Sequence, residues 1–148
     1  MTAVLLDTNV LVYLVDAEEP AKQTRAEEIT GALIVNRNGR LSVQCLAEFF
    51  HASTRKLKPP LAPAEAMAQI DRFRTLWPIF ALTSVVVLEA ARGVRDHRLA
   101  YYDAQIWATA RLNGVPVVLS EDFQTGRTLE GVTFVNPFAR DFRLADWL

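Results

Sequence analysis

Apolar and polar positions alternate between two periods along the chain, and the switches mark its elements. Ala3 to Leu6 is an aliphatic and β-branched run that stops at Asp7-Thr8-Asn9, the pattern of a buried strand ending in a polar turn. Val10 to Val15 continues apolar and predicts a short helix. Pro20 opens a helix to about Leu33, helped by the good formers Ala21, Arg25, Glu27 and Glu28. Asn36 to Arg40, with Gly39, predicts a turn, and Leu41 to Val43 a second strand. From Gln44 to about Lys56 the residues Val43, Leu46, Ala47, Phe50 and Leu57 follow helical spacing. Pro59, Pro60 and Pro63 stop that helix. Another follows from Ala64 to Leu76, with Met67, Ile70, Phe73 and Leu76 on one face, either core or dimer surface. Pro78 ends it, and Ile79 to Leu82 has the composition of a strand. Thr83 or Ser84 caps a helix to about Arg95. A further helix covers Tyr101 to Leu112 and ends at Asn113-Gly114. Pro116 to Ser120 and Val132 to Val135 complete the strands.

Nearly all-apolar strands separated by helices imply a parallel sheet covered on both faces. The expected architecture is one α/β domain over residues 1–148. It is a three-layer sandwich with a short central parallel sheet flanked by helices. In such sheets ligands bind beyond the carboxyl ends of the strands.

Composition narrows the function classes. The chain has 148 residues, 51% hydrophobic and 22% charged, which is globular and large enough to bury a core unaided. Cys45 is the single cysteine, so no internal disulfide is possible; its apolar neighbours make it a buried, inert thiol. Neither a secretory leader nor a membrane span is expected, and the expected location is the cytoplasm. A net charge of −1 leaves any nucleic-acid contact to local basic patches.

Against this background, four acids stand alone in apolar runs. Asp7 is the only charge up to Val15, Glu48 the only one from Leu41 to Phe50, and Asp103 the only one from Tyr101 to Ala110; Asp122 follows an apolar strand, with Glu121 beside it. Each alone has an ordinary explanation as a turn, cap or helix-dipole partner. An ionised carboxylate in an apolar setting must be paired, solvated in a pocket, or bound to a cation. Gathered in one pocket, the four would repel one another, and a divalent cation would remove the conflict. Oxygen-only ligands suit Mg²⁺ or Mn²⁺, and His51 and His97 are not spaced as a metal pair. Such a site suits in-line hydrolysis of a phosphodiester by an activated water. Glu89 also stands alone, but mid-helix, and reads as a partly exposed helix residue.

These same residues carry a resemblance. Asp7-Thr8-Asn9-Val10-Leu11, the run Leu41-Ser42-Val43 to Ala47-Glu48-Phe49, Tyr102-Asp103-Ala104 through Ala108-Thr109-Ala110, and Leu119-Ser120-Glu121-Asp122-Phe123 followed by Gly126 resemble, in order, the motifs of PIN-domain nucleases. Length and compactness are most similar to VapC-type toxins of bacterial toxin–antitoxin pairs. The resemblance implies that Asp7, Glu48 and Asp103 are metal-binding catalytic acids and that Asp122 is the fourth, with Glu121 its competitor. Thr8 or Asn9 and Ser120 would support the site. It also implies an endoribonuclease using Mg²⁺ or Mn²⁺, a homodimer, and a cognate antitoxin that occludes the acids.

Two basic runs lie near these motifs. Arg55 and Lys56, with Lys58, follow the Glu48 helix, and Arg92, Arg95 and Arg98, with His97, precede Asp103. They could contact RNA phosphates or be ordinary solvated faces. Tyr101, Tyr102 and Phe123 could stack on bases, although Tyr102 and Phe123 equally suit the core. Trp77, Trp107 and Trp147 read as core or interface. A phosphatase acting through phosphoaspartate would need an acid where Asn9 stands. The remaining alternative is a PIN-like module that binds RNA or a partner without cutting.

Overall fold

The structure is a computed structural model that describes residues 2–123 and 125–147; Met1, Gln124 and Leu148 lie outside the described residues. The elements run β1 (Val4–Leu6), α1 (Thr8–Tyr13), α2 (Pro20–Asn36), β2 (Gly39–Ser42), α3 (Val43–Arg55), α4 (Pro63–Leu76), β3 (Ile79–Phe80), α5 (Ser84–His97), α6 (Tyr101–Leu112), β4 (Val117–Leu119), β5 (Thr128–Leu129) and β6 (Val132–Val135). A short 3₁₀ turn, Leu144–Asp146, follows.

The strands form one sheet in the order β3-β2-β1-β4-β6-β5. All pairings are parallel except β5 with β6, which is antiparallel. The parallel expectation therefore holds for the interior of the sheet. β5 escapes a periodicity search because its two residues are one exposed and one half-buried. Helices α1 to α4 pack with one another, α2 and α3 also against β2, while α5 packs on α6 and α6 against β4 and β6. The first crossovers move the chain outward from β1 to β2 and β3. The next returns it to the other side of β1, as β4. The sheet thus has its switch point between β1 and β4, where a crevice opens beyond the strand ends.

Local chemistry explains where the helices begin. Asp7 accepts from the Thr8 amide at 2.7 Å and caps α1. Ser42 caps α3 through the Cys45 amide, and Thr83 caps α5 through the Val86 amide, both at 3.2 Å. Each cap satisfies an amide that the helix leaves unpaired. The core joins β1, Leu41, Val118, Leu119 and Phe134 to Ile29, Leu33, Phe49, Phe73 and Trp107. Trp77 is also buried there.

Two glycines mark close approaches. A Cβ on Gly39 would stand 2.4 Å from Trp77 Nε1, and one on Gly93 would stand 2.8 Å from Trp107 Cζ3. Gly39 thus opens β2 under Trp77 and is not the turn residue that its sequence context suggests.

The α3 stripe differs from the sequence expectation. Its buried residues are Gln44, Cys45, Phe49 and Ser53, whereas Val43 and Ala47 are exposed and Leu46 and Phe50 half-buried. Two stripes of similar hydrophobicity run along this helix, and packing against β2 and α4 selects the one with Cys45 and Phe49. On α4, Phe73 enters the core and Met67 is exposed, so the predicted face is split. The strand expected to reach Leu82 stops at Phe80.

Candidate active site

The switch-point crevice gathers residues from distant parts of the chain. β1 delivers Asp7 at its carboxyl end, and β4 delivers Ser120. The strands are held in register by Leu6 opposite Leu119, and the Asp7 amide donates to the Leu119 carbonyl at 3.0 Å. Asp7 is buried, with 5% of its surface exposed. Its Oδ1 accepts from the Thr8 amide, and its Oδ2 accepts from Ser120 Oγ at 2.7 Å. Ser120 Oγ in turn accepts from Asn9 Nδ2 at 3.2 Å and from the Asp122 amide at 3.1 Å. Asn9 Nδ2 also donates to Asp122 Oδ2 at 3.2 Å.

Glu48 comes from α3. Its Oε2 accepts from Thr8 Oγ1 at 2.7 Å and its Oε1 from Gln44 Nε2 at 2.9 Å. Thr8 and Asn9 therefore have different partners: Thr8 ties Asp7's segment to Glu48, and Asn9 ties it to Asp122. Asp103 lies in the first turn of α6.

The charges of Glu48 and Asp122 act on Asp7 and on Asp103. Burial pushes the Asp7 carboxyl from its ordinary 3.8 up to about 6; hydrogen bonds from Ser120 and Thr8 oppose the rise, and the charges of Asp122 and Glu48 add to it. Burial also raises Asp103, with the charges of Asp122 and Glu48 contributing in the same direction. A cleft of about 730 Å³ opens beside them, lined by Thr8, Asn9, Glu48, Lys56, Tyr102 and Asp122 among others.

Adjacent acids diverge. Glu121 accepts from Lys22 Nζ at 3.0 Å and from the Tyr13 hydroxyl. Lys22 also lies over the Tyr13 ring. Glu121 is thus neutralised by a cation while Asp122 borders the cleft.

The donor chemistry fits a hard divalent cation: carboxylate and hydroxyl oxygens surround an excess of negative charge. The side chains do not converge on one point. Among the described residues no three His, Cys, Asp or Glu side chains form a group placed to hold a metal ion. Hydrogen bonds from Ser120, Thr8 and Asn9 engage the carboxylates of Asp7, Glu48 and Asp122 respectively.

The basic runs separate. Lys56 lines the cleft, and Arg55 is exposed on the same helix end. Arg92 instead pairs with Glu89, Asp96 and Glu130, and Arg95 pairs with Asp96. Both line a different groove with Val85, Leu88 and Leu112. Arg98 is exposed and closes α5 in the left-handed conformation. Glu89 belongs to that network and also binds Arg111. Of the aromatics, Tyr102 is 66% exposed at the cleft, whereas Phe123 is buried and stacked on Phe134. Trp77 and Trp107 are buried, and Trp147 packs at the edge of the core.

Three contacts escaped the sequence reading. Tyr13 and Lys22 hold Glu121, and Gln44 and Gln105 form a buried amide pair at 2.9 Å. The signal for the last was present: both glutamines interrupt apolar stretches, as the four acids do.

The family model described as the PIN domain matches residues 4–128. The chain belongs to the PIN-domain family. No curated protein matches its sequence significantly. Solved structures share its fold. A toxin–antitoxin complex from Klebsiella pneumoniae aligns with a TM-score of 0.62 at 19% identity, covering 92% of this chain and 98% of that one. VapC20 of Mycobacterium tuberculosis, a toxin that cleaves the sarcin–ricin loop, aligns at 0.65 and 18%, covering 86% and 98%. DNA-bound VapBC from Salmonella typhimurium aligns at 0.65 and 18%, covering 90% and 97%. This PIN domain therefore has the architecture of VapC toxins. No helix among its described residues is long and apolar enough to cross a membrane.

Proposed function

We propose that this PIN domain is a metal-dependent endoribonuclease, the toxin of a toxin–antitoxin pair. One observation carries the reading. Asp7, Glu48, Asp103 and Asp122 arrive from four separate segments, and Glu48 and Asp122, which line the cleft, raise both Asp7 and Asp103 by their charge. Mg²⁺ or Mn²⁺ held by these four acids would neutralise the cluster and supply an acidified water. Ser120, Thr8 and Asn9 orient the carboxylates. Lys56, which lines the cleft, would attract a phosphate, and the exposed Tyr102 would stack on a base. In the proposed hydrolysis water adds to phosphorus, and the 3′ oxygen leaves and takes a proton. The products are a 5′-phosphate and a 3′-hydroxyl. The antitoxin would present a basic side chain to the acids, and the toxin would act as a cytoplasmic homodimer.

The open placement of the acids favours a second reading, a PIN module that binds RNA or a partner without cutting. One assay separates them. Purified, antitoxin-free protein is incubated with total RNA in Mg²⁺, Mn²⁺ or EDTA, and end groups are mapped. Cleavage that needs the cation and disappears in both Asp7→Asn and Asp103→Asn supports the nuclease. RNA retained uncut by the wild type under every condition supports the binding module.

A further inference from the structure

Glu48 and Asp103 stand on different helices, and only Glu48 is held directly. Thr8 and Gln44 both donate to its carboxylate, whereas among the described residues no hydrogen bond to the Asp103 carboxylate is formed. Gln44 spans the gap. Its Nε2 donates to Glu48 Oε1 at 2.9 Å and to the carbonyl of Tyr102, the residue before Asp103, at 3.0 Å. The Tyr102 carbonyl can only accept, so the amide can face only one way. Gln44 Oε1 must then accept, and it accepts from Gln105 Nε2 at 2.9 Å. Gln105 Oε1 accepts from the Tyr101 hydroxyl at 3.0 Å. Gln44 and Gln105 are both buried. A buried amide pair with every link made in one direction is costly to disturb and fixes the groups at its ends.

We propose that Gln44 and Gln105 are positioning residues that hold Glu48 against the first turn of α6, where Asp103 stands, and that a divalent cation would draw on both carboxylates. This rests on the nuclease reading above. The chain acts through Glu48 and through the backbone of α6. Among the described residues Gln105 hydrogen-bonds to neither carboxylate, so its effect separates positioning from direct binding.

Mn²⁺ alone is the probe, titrated calorimetrically into wild type, Gln44→Met, Gln105→Leu and Tyr101→Phe, with thermal unfolding measured in EDTA. Loss of a supporting hydrogen bond to a metal ligand weakens binding by about 10-fold or more. Gln44→Met should show that loss and Gln105→Leu a several-fold one. Tyr101→Phe, which keeps the ring and removes only the outermost link, should show the smallest. Cleavage in the variants should recover at saturating Mn²⁺. Variants that lose thermal stability but keep the wild-type Mn²⁺ affinity would overturn the proposal, since a purely structural pair behaves so. Should the core variants not fold, wild-type amide exchange decides. Slowly exchanging Nε2 protons on both glutamines support the chain, and exchange as fast as in exposed amides overturns it. A wild type that binds no Mn²⁺ would overturn the nuclease reading itself, and this proposal with it.

Discussion

Replacing Asp7 by asparagine should make the cation-free protein more stable while removing its activity. The side chain is buried, and burial with two neighbouring acids raises its carboxyl from 3.8 to about 6. A carboxyl raised on folding binds its proton more tightly in the native state. Its contribution is therefore fully present below the unfolded value and is lost as pH rises through the native one. Above pH 7 the ionised form costs about 3 kcal/mol, at 1.36 kcal/mol per pH unit. Asparagine avoids that cost and keeps a cap oxygen for the Thr8 amide. It brings one mismatch: its Nδ2 would face Ser120 Oγ, which already accepts from Asn9 and the Asp122 amide. That mismatch costs about 1 kcal/mol. The variant should thus be more stable by about 2 kcal/mol at pH 7.5 and about equal to wild type near pH 4.5. Urea unfolding in EDTA at the two pH values measures both. Added Mg²⁺ should then raise the wild-type midpoint and leave the variant's nearly unchanged. A variant less stable than wild type at pH 7.5, or a difference that ignores pH, would refute the reasoning.

Other perturbations test the frame around the site. Gly93→Ala places a methyl 2.8 Å from the buried Trp107 ring and should destabilise by about 1–3 kcal/mol, read as a lower urea midpoint. Lys22→Met removes the partly exposed partner of Glu121; stability should change by no more than about 1 kcal/mol, while cleavage falls several-fold as the Asp122 segment loosens. Global unfolding of that variant would show that the contact is structural. Cys45 is fully buried and its thiol is pushed up to about 12, chiefly by burial and then by the Asp7 charge. It should resist an aromatic disulfide reagent in the native protein and react at once in urea; rapid native labelling would contradict its placement.

Local rules located most elements, because caps, prolines and short apolar runs act over a few residues. The α6 bounds Tyr101–Leu112 and the β6 bounds Val132–Val135 follow from such signals. The same logic found the acids, since a charge in an apolar run is conspicuous wherever the chain folds. Where two local answers were equally good, the sequence was silent. Helix α3 carries two apolar stripes, and only its neighbours choose between them. Glu121 and Asp122 are chemically near-equivalent, and their separation depends on Lys22 and Tyr13, about a hundred residues earlier. Arg92 and Arg95 look like RNA contacts until Glu89, Asp96 and Glu130 neutralise them.

The sequence by itself determined most of the strands and helices, β5 excepted, and which acids stand alone in apolar runs. Burial and periodicity are properties of neighbouring residues, so they are written along the chain. The tertiary structure alone decided the order of the strands, and with it the crevice between β1 and β4 where Asp7 and Ser120 meet. It also decided which polar groups engage the carboxylates. Those choices depend on distances between residues far apart in sequence, and hydrogen bonds such as Gln44 to Gln105 exist only once α3 and α6 have packed.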